Sequence, residues 1–68
     1  MEKTLFEVLD DDRLKKELDV EEYCKMLNIS RNVFYRIKHG EVSRKMLYRI
    51  ANKTNFTFDE LNEMPLKN

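Results

Sequence analysis

The stretch Val20–Gly40, VEEYCKMLNISRNVFYRIKHG, narrows what this chain can fold into more than any other part of it. Projected at 100° per residue, Val20, Tyr23, Cys24 and Leu27 fall within an arc of roughly 100°, the mark of a helix that buries one face. Asn28 follows, and Asn is one of the few non-glycine residues that tolerates the left-handed backbone on which helices end. Ile29 supplies an apolar plug for the angle between two helices. Ser30 is a good N-cap, because its hydroxyl accepts from a free backbone N–H one turn in. A second helix is expected from Arg31 to about His39, with Gly40 at its C′ position. Residues 20–40 therefore predict two short helices joined by a tight turn.

The second helix has two faces. Val33, Phe34 and Ile37 project together and can dock it against a core. Arg31, Asn32, Tyr35, Arg36 and His39 fill the other side, which carries no carboxylate. Most polar helix faces are only solvated. This one offers guanidinium, carboxamide, phenol and imidazole groups on the second helix of a helix-turn-helix, and such groups read base edges in a DNA major groove, Arg on guanine and Asn on adenine. Arg31, Asn32, Tyr35 and Arg36 are the expected base contacts. Ser30, Lys38, Arg44 and Lys45 are the expected phosphate contacts, with His39 at the margin.

The stretch resembles the helix-turn-helix of the phage Cro and lambda-type repressor class, the XRE-like regulators. Leu27, Ile29, Ser30, Arg31, Phe34, Arg36, Ile37 and Gly40 stand where that pattern places them. The resemblance extends over roughly Leu5 to Leu61 and implies an all-α bundle of about five short helices, with a recognition helix at 31–39. It also implies a homodimer on double-stranded DNA, closed through the last helix, where Phe58, Leu61, Met64 and Leu66 are the candidate contacts; the same four residues fit equally well as a cap on the monomer core. Some positions depart from the pattern. Val20 stands where a Gln often meets a phosphate, Asn28 where Gly is usual, and Cys24 where Ala is usual. The family pairs an Arg of helix 1 with a Glu near the end of the recognition helix. Those places hold Arg13 and Lys38, so Arg13 needs another partner, and Asp10, Glu17 and Glu41 are the candidates.

Charge is neutral in sum and segregated along the chain. Residues 1–22 hold nine acids and four bases, a net of −5. Residues 23–53 hold eight bases and one acid, a net of +7, and residues 54–68 a net of −2 from three acids and one base. The basic middle supplies the local field that phosphate contact needs.

The flanking segments complete a single helical domain over residues 1–68. Thr4 can cap a first helix whose apolar face begins with Leu5, Phe6, Val8 and Leu9. Asp10–Asp12 interrupt it, and Leu14 and Leu18 are out of phase with Leu5 and Leu9, yet a continuous helix to about Lys16 is expected. Asp19 caps the second helix, with Glu21 and Glu22 in its first turn. Ser43 caps a fourth helix, Arg44 to about Lys53, with Leu47, Ile50 and Ala51 inward and Asn55 as a left-handed terminator. Arg44 and Lys45 oppose the dipole at that helix start, which points to an external anion. Thr57-Phe58-Asp59-Glu60 is a capping box flanked by Phe56 and Leu61 at the staple positions. It opens a short helix to about Met64, ended by Pro65.

Two functions from different classes follow. The first is a sequence-specific DNA-binding transcriptional regulator, a Cro- or repressor-like protein of a phage or mobile element. The second is a protein-interaction module on the same scaffold, such as an antirepressor, an antitoxin-like binder or an assembly factor, with its surface on the acidic first helix. Catalysis is not expected, because no paired carboxylates, Ser/His/Asp or Cys/His arrangement, or phosphate loop is present. One Cys and one His cannot build a disulfide or a zinc site, so neither metal nor cofactor is expected. No segment reads as a signal peptide or a membrane span, which predicts a cytoplasmic protein.

Overall fold

A computed structural model describes residues 2–67. The chain forms α1 (Leu5–Lys15), α2 (Val20–Leu27), α3 (Arg31–Lys38), α4 (Arg44–Lys53) and α5 (Phe58–Glu63), and no strand among the described residues. The fold is the expected all-α bundle. Each helix starts for the same local reason. Thr4, Asp19, Ser30, Ser43 and Thr57 stand at the five N-caps in extended backbone, and each side chain accepts a first-turn N–H. At Thr4, Asp19 and Thr57 a Glu three residues on reaches back to the cap N–H, completing a capping box. Such caps contribute about 1 kcal/mol each.

The helix ends divide into two kinds. α1 and α3 close by the same crossed pair of backbone bonds, which α2 repeats from the Asn28 and Ile29 N–H to the Lys25 and Cys24 carbonyls. Glu17 and Leu18 N–H donate to Leu14 and Arg13 carbonyls, and Gly40 and Glu41 N–H donate to Ile37 and Arg36 carbonyls. The left-handed residue is Glu17 (φ 56°) in the first and Gly40 (φ 83°) in the second; Asn28 (φ 60°) ends α2 as its sequence predicts. α4 ends differently from expectation. Asn55 is not left-handed. Instead, the Thr54 hydroxyl donates to the Ile50 carbonyl at 2.8 Å and accepts the Phe56 N–H at 3.3 Å, so a side chain, not a left-handed residue, stops the helix at the expected Lys53.

α1 runs unbroken through Asp10–Asp12. Its phase conflict is resolved by exposure: Leu5 and Leu9 turn into the core and Leu14 is left 57% exposed. The aspartates are tied down locally, Asp10 to Arg13, Asp11 to Lys3 and Asp12 to Lys16. Arg13 also donates to the Leu18 carbonyl at 2.8 Å. Its partner is therefore Asp10, and the loop after α1 is fastened to the helix through the same guanidinium.

Every helix contributes to one core, Leu5 and Leu9 from α1, Tyr23, Cys24 and Leu27 from α2, Phe34 and Ile37 from α3, Leu47 and Ile50 from α4 and Leu61 from α5. Phe34 is its hub, 4.9 Å from the Phe6 ring and 6.0 Å from the Tyr23 ring. Buried Tyr23 keeps its hydroxyl satisfied by donating to Asp12 at 2.9 Å, and burial with that bond pushes the phenol pKa up. Cys24 fills the core as a small apolar group, its thiol pKa also raised by burial against the opposing pull of Arg31. The last turn of chain packs onto the first. The Pro65 carbonyl accepts the Leu5 N–H at 2.8 Å, satisfying one of the free donors at the start of α1.

Candidate nucleic-acid interface

α3 packs against α1 and α2, and its two flanks have different surroundings. On the α1 side, Tyr35 is 45% exposed and leans on two rings, Phe34 at 5.8 Å and Phe6 at 6.5 Å. Lys38 lies on the same flank, its Nζ 5.7 Å from the centre of the Phe6 ring. On the α4 side, Arg36 borders an open hollow of about 330 Å³ with Val33, Val42, Ser43 and Met46. Val33 is half-buried, so the docking of α3 rests on Phe34 and Ile37 and not on all three apolar residues. Asn32 and His39 point outward between the flanks, within about 20° of one another at 100° per residue. His39 caps the helix instead of belonging to it and shares the outermost arc with Asn32.

Arg31, Asn32, Tyr35, Arg36, Ser30, Lys38, His39, Arg44 and Lys45 are all exposed. The structure thus brings the nine expected contact residues to the surface of one helix, its cap and the first turn of the next. The charges there are unspent. The three ion pairs among the described residues join aspartates of α1 to Lys3 before it, Arg13 within it and Lys16 at its C-cap, and none involves a cation of α3 or α4. Glu41 borders the Arg36 hollow without reaching ion-pair distance of a cation. Ser43 holds the first turn of α4 by accepting the Met46 N–H at 3.2 Å, so Arg44 and Lys45 project from a fixed helix start.

One cation escaped the sequence reading. Arg49 of α4 donates to the Asn28 carbonyl at 3.3 Å, tying α4 to the end of α2 and the turn before α3. The sequence shows only a polar residue on the outer arc of α4; the partner is a backbone carbonyl 21 residues away and leaves no side-chain signature.

The four residues expected to form a dimer contact separate. Leu61 is fully buried in the core and has no surface to offer, because the staple with Phe56 draws it inward. Phe58 is half-buried and stacks on exposed Tyr48, ring centres 4.1 Å apart and nearly parallel at 8°. Met64 is half-buried, and Leu66 is 37% exposed.

Among the described residues, no group of three or more His, Cys, Asp or Glu could hold a metal ion, and no helix is long and apolar enough to cross a membrane. Comparisons with models of protein families, with curated proteins and with solved structures find no match.

Proposed function

We propose that the chain is a cytoplasmic, sequence-specific transcriptional regulator that inserts α3 into the major groove of double-stranded DNA. The observation that carries this reading is the division of charge: the three aspartates of α1 are paired within the molecule, whereas the cations of α3 and of the start of α4 are exposed and form no ion pair among the described residues. An unpaired basic surface around a two-flanked helix is what phosphate positioning and base reading require. Arg36, Asn32, Tyr35 and Arg31 are assigned to base edges, and Ser30, Lys38, Arg44 and Lys45 to phosphates. His39 moves from the margin toward the bases because it shares the outward arc with Asn32. The resemblance to the Cro and lambda-type repressor class agrees with this assignment and adds a phage or mobile-element setting.

One recognition helix reads only a few base pairs, so a two-fold dimer on half-sites one helical turn, about 34 Å, apart is part of the proposal. Phe58, Tyr48, Met64 and Leu66 are the surface residues near α5 that remain for its contact. The competing module centred on acidic α1 loses support, since Asp10, Asp11 and Asp12 are already occupied by Arg13, Lys3 and Lys16.

Selection of bound sequences from a random duplex pool at about 100 mM salt tests the reading. The expected result is an enriched palindrome with half-sites one turn apart. Weak binding without enrichment, lost on adding salt, would leave the helix pair as a scaffold and return attention to a protein partner.

A further inference from the structure

We propose that Lys67, together with Lys38, forms a phosphate-contacting site beside α3, built by folding the C-terminal tail back across Gly40. The proposal rests on the DNA-binding reading above and adds a residue from outside the helix-turn-helix.

Gly40 does two things. Its φ of +83° closes α3, and its missing side chain leaves room for another residue's methylenes. A Cβ placed there would lie 3.1 Å from Cγ, 3.4 Å from Cδ and 3.6 Å from Cε of Lys67. The lysine stem is therefore laid along the end of α3 instead of trailing into solvent. The bond from the Leu5 N–H to the Pro65 carbonyl anchors the tail two residues before it. Lys67 and Lys38 then border one open hollow of about 490 Å³, with Thr4, Phe6 and Glu7.

Two lysines border this hollow against one carboxylate, Glu7, and neither lysine forms an ion pair among the described residues. The nearby Glu7 carboxylate accepts the Thr4 N–H at 2.9 Å as the return arm of its capping box. The excess of one positive charge there favours an anion. The hollow adjoins the flank of α3 that carries Tyr35 and Lys38, where a duplex held by the outward face would pass its backbone. A DNA phosphate is the occupant that fits both the charge and the place.

The test measures affinity for the selected duplex between 50 and 200 mM salt for the wild type, Lys67→Gln, Lys67→Arg and Lys38→Gln, after thermal unfolding has verified each fold. Gln keeps a Cγ and a Cδ, the two positions nearest Gly40, and removes the charge. Lys67→Gln is expected to reduce the magnitude of the log–log salt slope by about 0.9, one phosphate contact, with the preferred sequence unchanged, and Lys67→Arg to restore it. Lys38→Gln is expected to give the same decrement. A wild-type slope left unchanged by Lys67→Gln overturns the phosphate site while leaving the DNA-binding reading intact. A wild type that binds no duplex with sequence preference overturns both.

Discussion

α1 and α3 pack against each other across the Phe6–Phe34 contact, both are rich in charge, and they dispose of it in opposite ways. In α1 each aspartate of Asp10–Asp12 finds a cation, and Asp12 also receives the Tyr23 hydroxyl. In α3, Arg31, Arg36 and Lys38 form no ion pair among the described residues. The two helices therefore separate charges that help hold the fold from charges that face outward. The difference is not one of burial alone, since the Lys3 and Asp11 side chains of an α1 pair are 63% and 43% exposed. What distinguishes the helices is whether the chain itself supplies the counter-charge.

The largest test strikes the seam between them. Phe34→Ala removes the ring that touches Phe6 and Tyr23 and should cost about 3–5 kcal/mol, enough to unfold much of a domain this small. A loss under about 1.5 kcal/mol in chemical denaturation would mean that α1 and α3 are not held together there. The next compares two arginines. Arg36→Ala should cost about 1–3 kcal/mol of binding at one base pair and leave stability within about 0.5 kcal/mol. Arg13→Ala should do the reverse, costing about 1–2 kcal/mol of stability through its lost bonds to Asp10 and the Leu18 carbonyl, with DNA affinity unchanged. Equal binding losses from the two variants would dissolve the contrast.

Tyr23→Phe sharpens the comparison on the α1 side. Loss of the bond to Asp12 should cost about 1 kcal/mol at neutral pH. The folded-state pKa of Tyr23 is raised, so its contribution is intact below the ordinary tyrosine value of about 10 and is lost as pH climbs above it, where the unfolded chain ionises first. Denaturation at pH 8 and at about pH 11 should therefore show a smaller alkaline loss in the Phe variant than in the wild type. Lys3, whose pKa is raised by its bond to Asp11, is present in both chains and cancels. The smallest effect concerns one of the three matching helix ends. Glu17→Gly should raise the denaturation midpoint by up to about 1 kcal/mol of stability, because the left-handed backbone costs a side-chain-bearing residue more than it costs glycine. A lowered midpoint would show that Glu17 holds the turn by some means other than backbone geometry.

Much of the helix pair was legible because it depends on neighbours in sequence. The caps at Ser30 and Thr57, the left-handed Asn28 and Gly40, and the inward Phe34 and Ile37 all follow from spacings of four residues or fewer. Features set by distant contacts were not legible in the same way. Three acids were open as partners of Arg13, and only the folded α1 selects Asp10. Asn55 had the right chemistry to end α4, but the Thr54 hydroxyl reached the Ile50 carbonyl first. Leu61 carried an apolar side chain suited equally to core or interface, and packing under the staple decided it. Glu17 shows the limit from the other side. Nothing in its residue type favours left-handed backbone, yet the pair of bonds from Glu17 and Leu18 imposes it.

The hydrogen bond between Leu5 and Pro65 has a topological meaning. It converts a linear string of helices into a ring fastened by a noncovalent clasp. The α2–α3 and α4–α5 neighbours meet over short loops and can assemble early, at small entropic cost. The clasp joins segments from opposite ends of the chain and must close a loop spanning nearly all of it, a cost that grows only logarithmically with length. Loop length thus separates the two kinds of contact: the helix pair that carries the basic surface meets over a short turn, whereas the clasp bridges residues 5 and 65.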